Sequence, residues 1–582
     1  IGLILTFPFP ESRPVLSNEI ICKGDLIMSK KVWYPEADSV ILHGKIYTVA
    51  VTCEEVKAGK YDFPIIEDGG VAMKDGKIIA VGKACEMKAY IGENTKIIDA
   101  TGKVVSPGFC ESHMHATFYG IGLLVLDLEN MTKRTDLTDR LADYAKNVEK
   151  GKWIRGNGWN EMVWEDNQTL YTCDELDAIC PDNPVFLMSK TYHTAFVNSA
   201  AMKIAGITRD TPNPGGGTIG HFENGEPNGI LYENSAMNLV QQVMPVMTDD
   251  DLVEALYAAG KVMTGFGITS AIDANLSYDQ LRAYKLALER GKLLYRANPM
   301  FYLDSATGDA EYHLRRMEEH QCVTGFGNDM LKLNAIKVTL DGVPATFTAT
   351  MRKPYRLDPT TCGTSVWTQE EITAFVCKAN EKGWQFGIHT IGDKASDMAL
   401  EAFAAAHKQK PINDKRNYLI HYCLPHEDQW DMMKEMNISA TQQPTIACTL
   451  GEAAILFEEQ TMINQGSGRL FKNGILCGGS SDCPVTSCDP MLGMYYAVTR
   501  YDETTGMILG EECKITPEQA LIMYTKNSAY FSHDDDKMGS VEVGNFADIL
   551  IIDREFLTEN PKDILDAKIE TTILGGNIVY QA

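Results

Sequence analysis

Between Ala37 and Thr101 the chain runs in short β-branched stretches, "SVILHGKIYTV", "GGVAMKDGKIIAVG" and "KIIDATGKVV", separated by turn signals. Alternating apolar and polar positions of this kind predict half-buried strands. Asp75-Gly76 within "MKDGKI" predicts a two-residue hairpin turn. The C-terminal stretches "GNFADILIID" and "TTILGGNIVY" have the same character. Neither end supplies enough strands for a stable pair of sheets. Both are therefore expected to meet in one small β-sandwich, residues 31–103 and 531–582, with the middle of the chain inserted between them.

That middle, residues 104–530, alternates apolar strand-like runs with helical stretches. Strand candidates are "NPVFLMSK", "GITSAID", "RANPMFYL", "LNAIKVTL", "GWQFGIH", "NYLIHY", "NISATQQ" and "GILCGGSSD", beside the opening "VVSPGFCESHMH". Helices are predicted where Thr368 and Glu371, and Thr516, Pro517 and Gln519, stand in capping-box spacing. Alternating strand and helix over this length predicts a parallel sheet closed as a (β/α)8 TIM-like barrel, although the candidates number one more than eight. Two stretches read as insertions, about residues 117–181 and 208–235, the second dense in Gly, Pro and Asn.

At 582 residues the chain needs more than one structural unit. Its net charge of −26 argues against a nucleic-acid partner, since phosphate contacts require clustered Lys and Arg. No apolar run reaches the roughly 18 residues of a membrane helix. Fifteen cysteines without a C-x-x-C pair fit reduced thiols and a cytoplasmic location. The opening "IGLILTFPFP" is short and lacks a basic flank, while "MSKKVWYPEADSV" at Met28 reads as a start; residues 1–30 are set aside as a leader or disordered segment.

Candidate chemistry begins with "VVSPGFCESHMHATFYG". Two positions apart on a strand, His113 and His115 point to one side, and two convergent imidazoles suggest a divalent ion between them. In a parallel barrel the reactive residues sit at the C-terminal strand ends. His389 closes "GWQFGIH", His421 closes "NYLIHY", and Asp482 follows "GILCGGS"; Lys337 lies inside "LNAIKVTLDG", ahead of Asp341. Four of the twelve histidines thus end apolar runs, where unpartnered imidazole is costly.

The order His-x-His, Lys, His, His, Asp on successive strands resembles the amidohydrolase superfamily of metal-dependent hydrolases. The stretches "SPGFCESHMHATFYG", "WIRGNGWNEMVW", "YHTAFVNSAAM", "IKVTLDG", "FGIHTIGDKA", "LIHYCLP", "GGSSDCPVTSCDPMLGMYYAVTR" and "MGSVEVGNFADILIID" resemble its YtcJ-like branch, amidohydrolase family 3, which includes N-substituted formamide deformylases. Glu111 stands where that branch commonly has Asp, Cys483 where Ala is usual, and "HYCLP" replaces a more typical His-Ala-Gln. None of these departures removes a ligand.

The resemblance implies a metal site of His113, His115, Lys337, His389, His421 and Asp482, with His389 and His421 either on a second metal or placed around the substrate. It holds one or two divalent ions, Zn2+ before Fe2+ or Mn2+; a carboxylated Lys337 bridges two ions, whereas a free amine leaves one. Asp482 is implied as general base and then general acid, with His193 as a second catalytic group that lines the pocket and polarises a carbonyl. Trp159 and Trp164 are given as pocket residues alongside the competing reading of plain core aromatics. The expected reaction is hydrolysis of a non-peptide C–N bond in an N-acyl or N-formyl small molecule. Hydrolytic deamination of a heterocycle on the same site is the rival, and a non-catalytic barrel scaffold is disfavoured because every ligand position is filled. A homodimer is the oligomer the resemblance brings with it.

Overall fold

The structure is a computed structural model that describes residues 34–190, 193–214, 217–303 and 309–582. The segment set aside as a leader lies outside the described residues. The first strands are β1 (Ser39–Tyr47), β2 (Ile65–Lys74), β3 (Lys77–Lys83), β4 (Lys96–Asp99) and β5 (Val104–Pro107). β2 and β3 form the hairpin read from Asp75-Gly76: Lys74 pairs with Lys77, and both turn residues have positive φ (50° and 75°). A type I′ turn requires that conformation at both central positions.

Next comes β6 (Phe109–Met114), every residue of it buried. The chain then leaves this strand to build a separate sheet from β7 (Leu126–Asp127), β8 (Ile154–Trp159), β9 (Val185–Ser189), β10 (Thr194–Val197), β11 (Thr218–His221) and β12 (Pro227–Tyr232), in the order β11-β12-β10-β9-β8-β7. Two corrections to the sequence reading follow. The stretches at 117–181 and 208–235 are parts of one inserted sheet, and "NPVFLMSK", as β9, is its inner strand, not a member of the parallel set. A buried apolar run looks the same whichever core receives it. The insertion has its own core, with Leu137, Leu141, Trp159, Trp164 and Phe196 buried together.

Parallel strands resume with β13 (Ile268–Asp273), β14 (Arg296–Ala297), β15 (Phe301–Leu303), β16 (Ile336–Thr339), β17 (Phe386–Thr390), β18 (Tyr418–His421), β19 (Ser439–Gln442) and β20 (Cys477–Gly479). "RANPMFYL" is therefore two short strands, broken at Pro299, which has no amide proton to give a ladder. The strands form two parallel sheets, β14-β13-β6 and β15-β16-β17-β18-β19-β20. They touch along both edges. Ser112 Oγ donates to the Gly479 carbonyl at 2.8 Å and the Asp482 amide to the His113 carbonyl at 3.0 Å, while Leu276 and Phe301 form a parallel bridge on the other side. Both predicted capping boxes are present, at Thr368 with Glu371 and at Thr516 with Gln519.

The last strands are β21 (Ile549–Ile552), β22 (Ile569–Leu574) and β23 (Asn577–Gln581). β21 pairs antiparallel with β5, so the two chain ends share one eight-stranded hydrogen-bonded sheet, β23-β22-β21-β5-β1-β2-β3 with β4 on β1. Residues 104–107 belong to this sheet, which moves the domain boundary drawn after residue 103. The junction with the parallel strands is an ion pair: Arg296 of β14 donates to both oxygens of buried Asp548, at 2.6 and 2.9 Å, with its guanidinium 3.7 Å above the Phe546 ring. Among the described residues no helix is long and apolar enough to cross a membrane.

Candidate metal centre

The two edges of the parallel strands are joined where the site lies. As the chain leaves β20 it turns through Asp482, whose φ is 56°, and is held against the end of β6 by two backbone bonds. The Asp482 amide donates to the His113 carbonyl (3.0 Å) and the His115 amide to the Cys483 carbonyl (2.8 Å). Those bonds bring Asp482 Oδ1 to 3.2 Å from His113 Nε2 and 3.1 Å from His115 Nε2. Lys337, inside β16, places its Nζ 3.4 Å from His113 Nε2. At the ends of β17 and β18 the rings of His389 and His421 lie 4.5 Å apart, and His421 lies 5.1 Å from His113. All six residues named from the sequence as ligands converge.

Burial sets their charges. It drives His113 well below the usual imidazole range, helped by the Lys337 ammonium nearby, and does the same to His389 with His421 and Lys337 adding to it. His421 is pushed down to about 4, again chiefly by burial. Burial also lowers the Lys337 amine to about 7. For Asp482 burial works the other way, but hydrogen bonds from His113 and His115 outweigh it and hold the carboxyl well below its ordinary value. Burial thus keeps His113, His389 and His421 neutral beside the Asp482 carboxylate.

This donor set fits a divalent cation. His113, His115 and Asp482 offer two nitrogens and an oxygen within 4.8 Å of one another. His389 Nε2 is buried without a hydrogen-bond partner, a costly state for a polar atom unless something else engages it. Neutral imidazole and carboxylate are the forms that ligate metal.

Residues that sequence reading did not name as site residues surround this set. Glu111 Oε1 accepts the amides of His113 (3.0 Å) and Ser481 (3.2 Å), fixing both ligand-bearing segments; burial raises its carboxyl to about 8. Asp341 accepts three backbone amides, from Thr350, Ile391 and Gly392, and lies 3.6 Å from His389 Nε2. Gln443 accepts from His421 Nδ1 at 2.8 Å. Their one sequence signal is position, within a few residues of a strand end.

The pocket residues fare differently. Trp159 and Trp164 are buried in the insertion core, Trp159 stacked on Phe196 at 3.9 Å and donating to the Leu187 carbonyl. Both rings are almost fully buried there, in keeping with the competing reading of core aromatics. His193 stands exposed at the start of β10, its Nδ1 2.8 Å from Glu233 Oε2.

A sequence model of the amidohydrolase family matches residues 96–580, nearly the whole described chain. The chain belongs to the amidohydrolase family. This amidohydrolase is 30% identical over 537 residues to the putative amidohydrolase YtcJ of Bacillus subtilis, covering 90% of this chain and 98% of that one. It is 26% identical to the N-substituted formamide deformylase of Arthrobacter pascens, over 88% of this chain and 94% of the relative. Among solved structures, an uncharacterized metal-dependent hydrolase from Pyrococcus horikoshii superposes with a TM-score of 0.72 at 25% identity, over 90% of this chain and 99% of that one.

Proposed function

We propose that this amidohydrolase is a metal-dependent hydrolase of a non-peptide C–N bond, acting on an N-acyl or N-formyl amine, with its two parallel sheets forming one (β/α)8 barrel. The observation that carries the reading is Asp482 Oδ1 beside both His113 Nε2 and His115 Nε2, at 3.2 and 3.1 Å. The likeness to an N-substituted formamide deformylase supports the bond type, and the contacts along both sheet edges support closure.

His113, His115 and Asp482 would hold one divalent ion, Zn2+ first, with His389 and His421 as further ligands. When bound, such an ion supplies Lewis acidity and an acidified water. The chain's own groups do the rest. Asp482, ionised in the resting site, accepts the proton of the attacking water and returns it to the departing nitrogen. Glu111 and the paired backbone amides keep Asp482 and His113 in register. Lys337 would decide the number of ions: its buried amine is the form that takes up carbon dioxide, releasing a proton, and the carbamate would supply the anionic group a second ion needs, whereas the free amine would leave one. His193 is assigned to the substrate carbonyl.

A panel of N-formyl and N-acyl amines against aminated heterocycles, read by amine, carboxylate and ammonia release, tests this. Amine and carboxylate from the first group are expected. Ammonia from the heterocycles alone would transfer the site to deamination.

A further inference from the structure

His421 has two ring nitrogens, and which one faces the site depends on where its proton sits. A chain of hydrogen bonds behind the ring determines this. Gln443 Nε2 donates to Ser480 Oγ at 2.7 Å, and Ser480 Oγ donates its own proton to the Gln442 carbonyl at 3.1 Å. With its proton on that carbonyl, the hydroxyl offers Gln443 a lone pair, which suits the amide NH2. On the opposite side, the Gln443 backbone amide donates to Gln465 Oε1 at 3.0 Å, which directs Gln465 Nε2 to Gln443 Oε1 at 3.2 Å and to Cys423 Sγ at 3.2 Å. A backbone amide only donates. The Gln443 backbone amide, which cannot reverse, therefore orients one buried side chain through Gln465, the Ser480 hydroxyl agrees with it, and the side-chain oxygen is the atom 2.8 Å from His421 Nδ1.

We infer that Gln443 is a positioning residue that fixes His421 as its Nδ1–H tautomer and so presents an Nε2 lone pair to the metal centre. The inference rests on the metal-centre reading above, and it adds how that ligand is prepared before any ion arrives. Gln465 and Ser480 are part of the device: Gln465 transmits the polarity of a backbone amide, and Ser480 accepts from the Gln443 NH2. Nothing in the chain is exposed to water: Gln443, Gln465, Ser480 and His421 are all buried. Reversing the amide would set its NH2 against the Gln465 NH2 without solvent to repair the clash.

The test uses Co2+ bound to the full chain, with affinity from chelator competition and the visible absorption of the ion as a signature of its ligands. Gln443→Leu is expected to weaken Co2+ binding by about 10- to 100-fold, the usual effect of removing an outer partner of a ligating histidine, and to change the spectrum. Gln443→Glu keeps the acceptor facing His421 and, with the Ser480 hydroxyl turned to donate to its second oxygen, is expected to restore both. Wild-type affinity and spectrum in Gln443→Leu overturn the inference, as does equal damage in Gln443→Glu. A second measurement needs no variant at Gln443: in metal-free protein labelled with 15N-histidine, the signals lost in His421→Asn are expected to show the Nδ1–H pattern, and an Nε2–H pattern overturns the assignment. Wild-type protein that takes up no Co2+ would sink the metal-centre reading, and the 15N pattern still decides the tautomer.

Discussion

Asp482 and His115 meet through two kinds of contact at once: Oδ1 lies 3.1 Å from Nε2, and the backbone beside Asp482 accepts the His115 amide at the Cys483 carbonyl. The main chain therefore holds this carboxylate in place, and its charge can be removed without moving its atoms. Asp482→Asn is expected to retain bound metal while turnover falls by about 10²-fold or more, the scale of a lost proton-transfer group. Metal analysis beside kcat on an N-formyl amine checks it, and near-normal kcat in that variant would remove Asp482 from the proton path.

The helix that starts directly after His115, Ala116–Leu123, packs against the helix Asp249–Gly265 through Gly120. A Cβ there would lie 2.0 Å from the Ala255 carbonyl oxygen. Gly120→Ala must displace one helix, an overpacking cost of roughly 1–3 kcal/mol, and the displacement reaches His115. Lower urea stability together with weaker metal binding is expected; a loss of neither would show that the helix end moves freely.

Sequence reading named residues that the fold brings together because a strand end is legible: an apolar run that stops at His or Asp leaves that residue near the mouth of the sheet, as with His113, His389, His421 and Asp482. The supports were not legible. Gln443 in "NISATQQP" looks like any polar residue after a strand, and its role appears only once Ser480 and Gln465 are beside it. Trp159 and Trp164 read two ways for a related reason. An aromatic residue near Gly-rich sequence can face a ligand or fill a core, and only the presence of Phe196, Tyr171 and Leu176 in the same cluster decides for the core. The surplus strand has the same origin, since β9 is as apolar as any strand of the parallel set.

The junction between the end sheet and the parallel strands rests on Arg296 and Asp548, both buried and doubly hydrogen-bonded, with the Gly575 amide as a third donor to Asp548. Removing one member leaves the other charge buried and unpaired, a cost of about 3–5 kcal/mol. Asp548→Ala is expected to lower unfolding stability by that amount in urea. A change below 1 kcal/mol would show that water reaches Arg296 and replaces its partner.

His533, far in sequence from the ligands, gives a pH dependence. Burial, with Arg416 and Lys332 nearby and Asp534 and Asp535 opposing them, pushes its imidazole down to about 4. An unfolded chain takes up this proton near pH 6.5 and the folded one does not, so the contribution is present above about 6.5 and lost as the pH falls through about 4. Stability of the wild type should therefore fall across that window by up to about 3 kcal/mol more than in His533→Asn, a substitution that suits the positive φ of 59° at this position. Parallel pH profiles in urea measurements of the two proteins would contradict the assignment.

The most direct measurement is anomalous diffraction from crystals grown with Zn2+ or Mn2+. The expected result is an ion bonded to Nε2 of His113, Nε2 of His115 and a carboxylate oxygen of Asp482. A peak elsewhere, or none among these three at full occupancy of the added metal, would contradict the central claim.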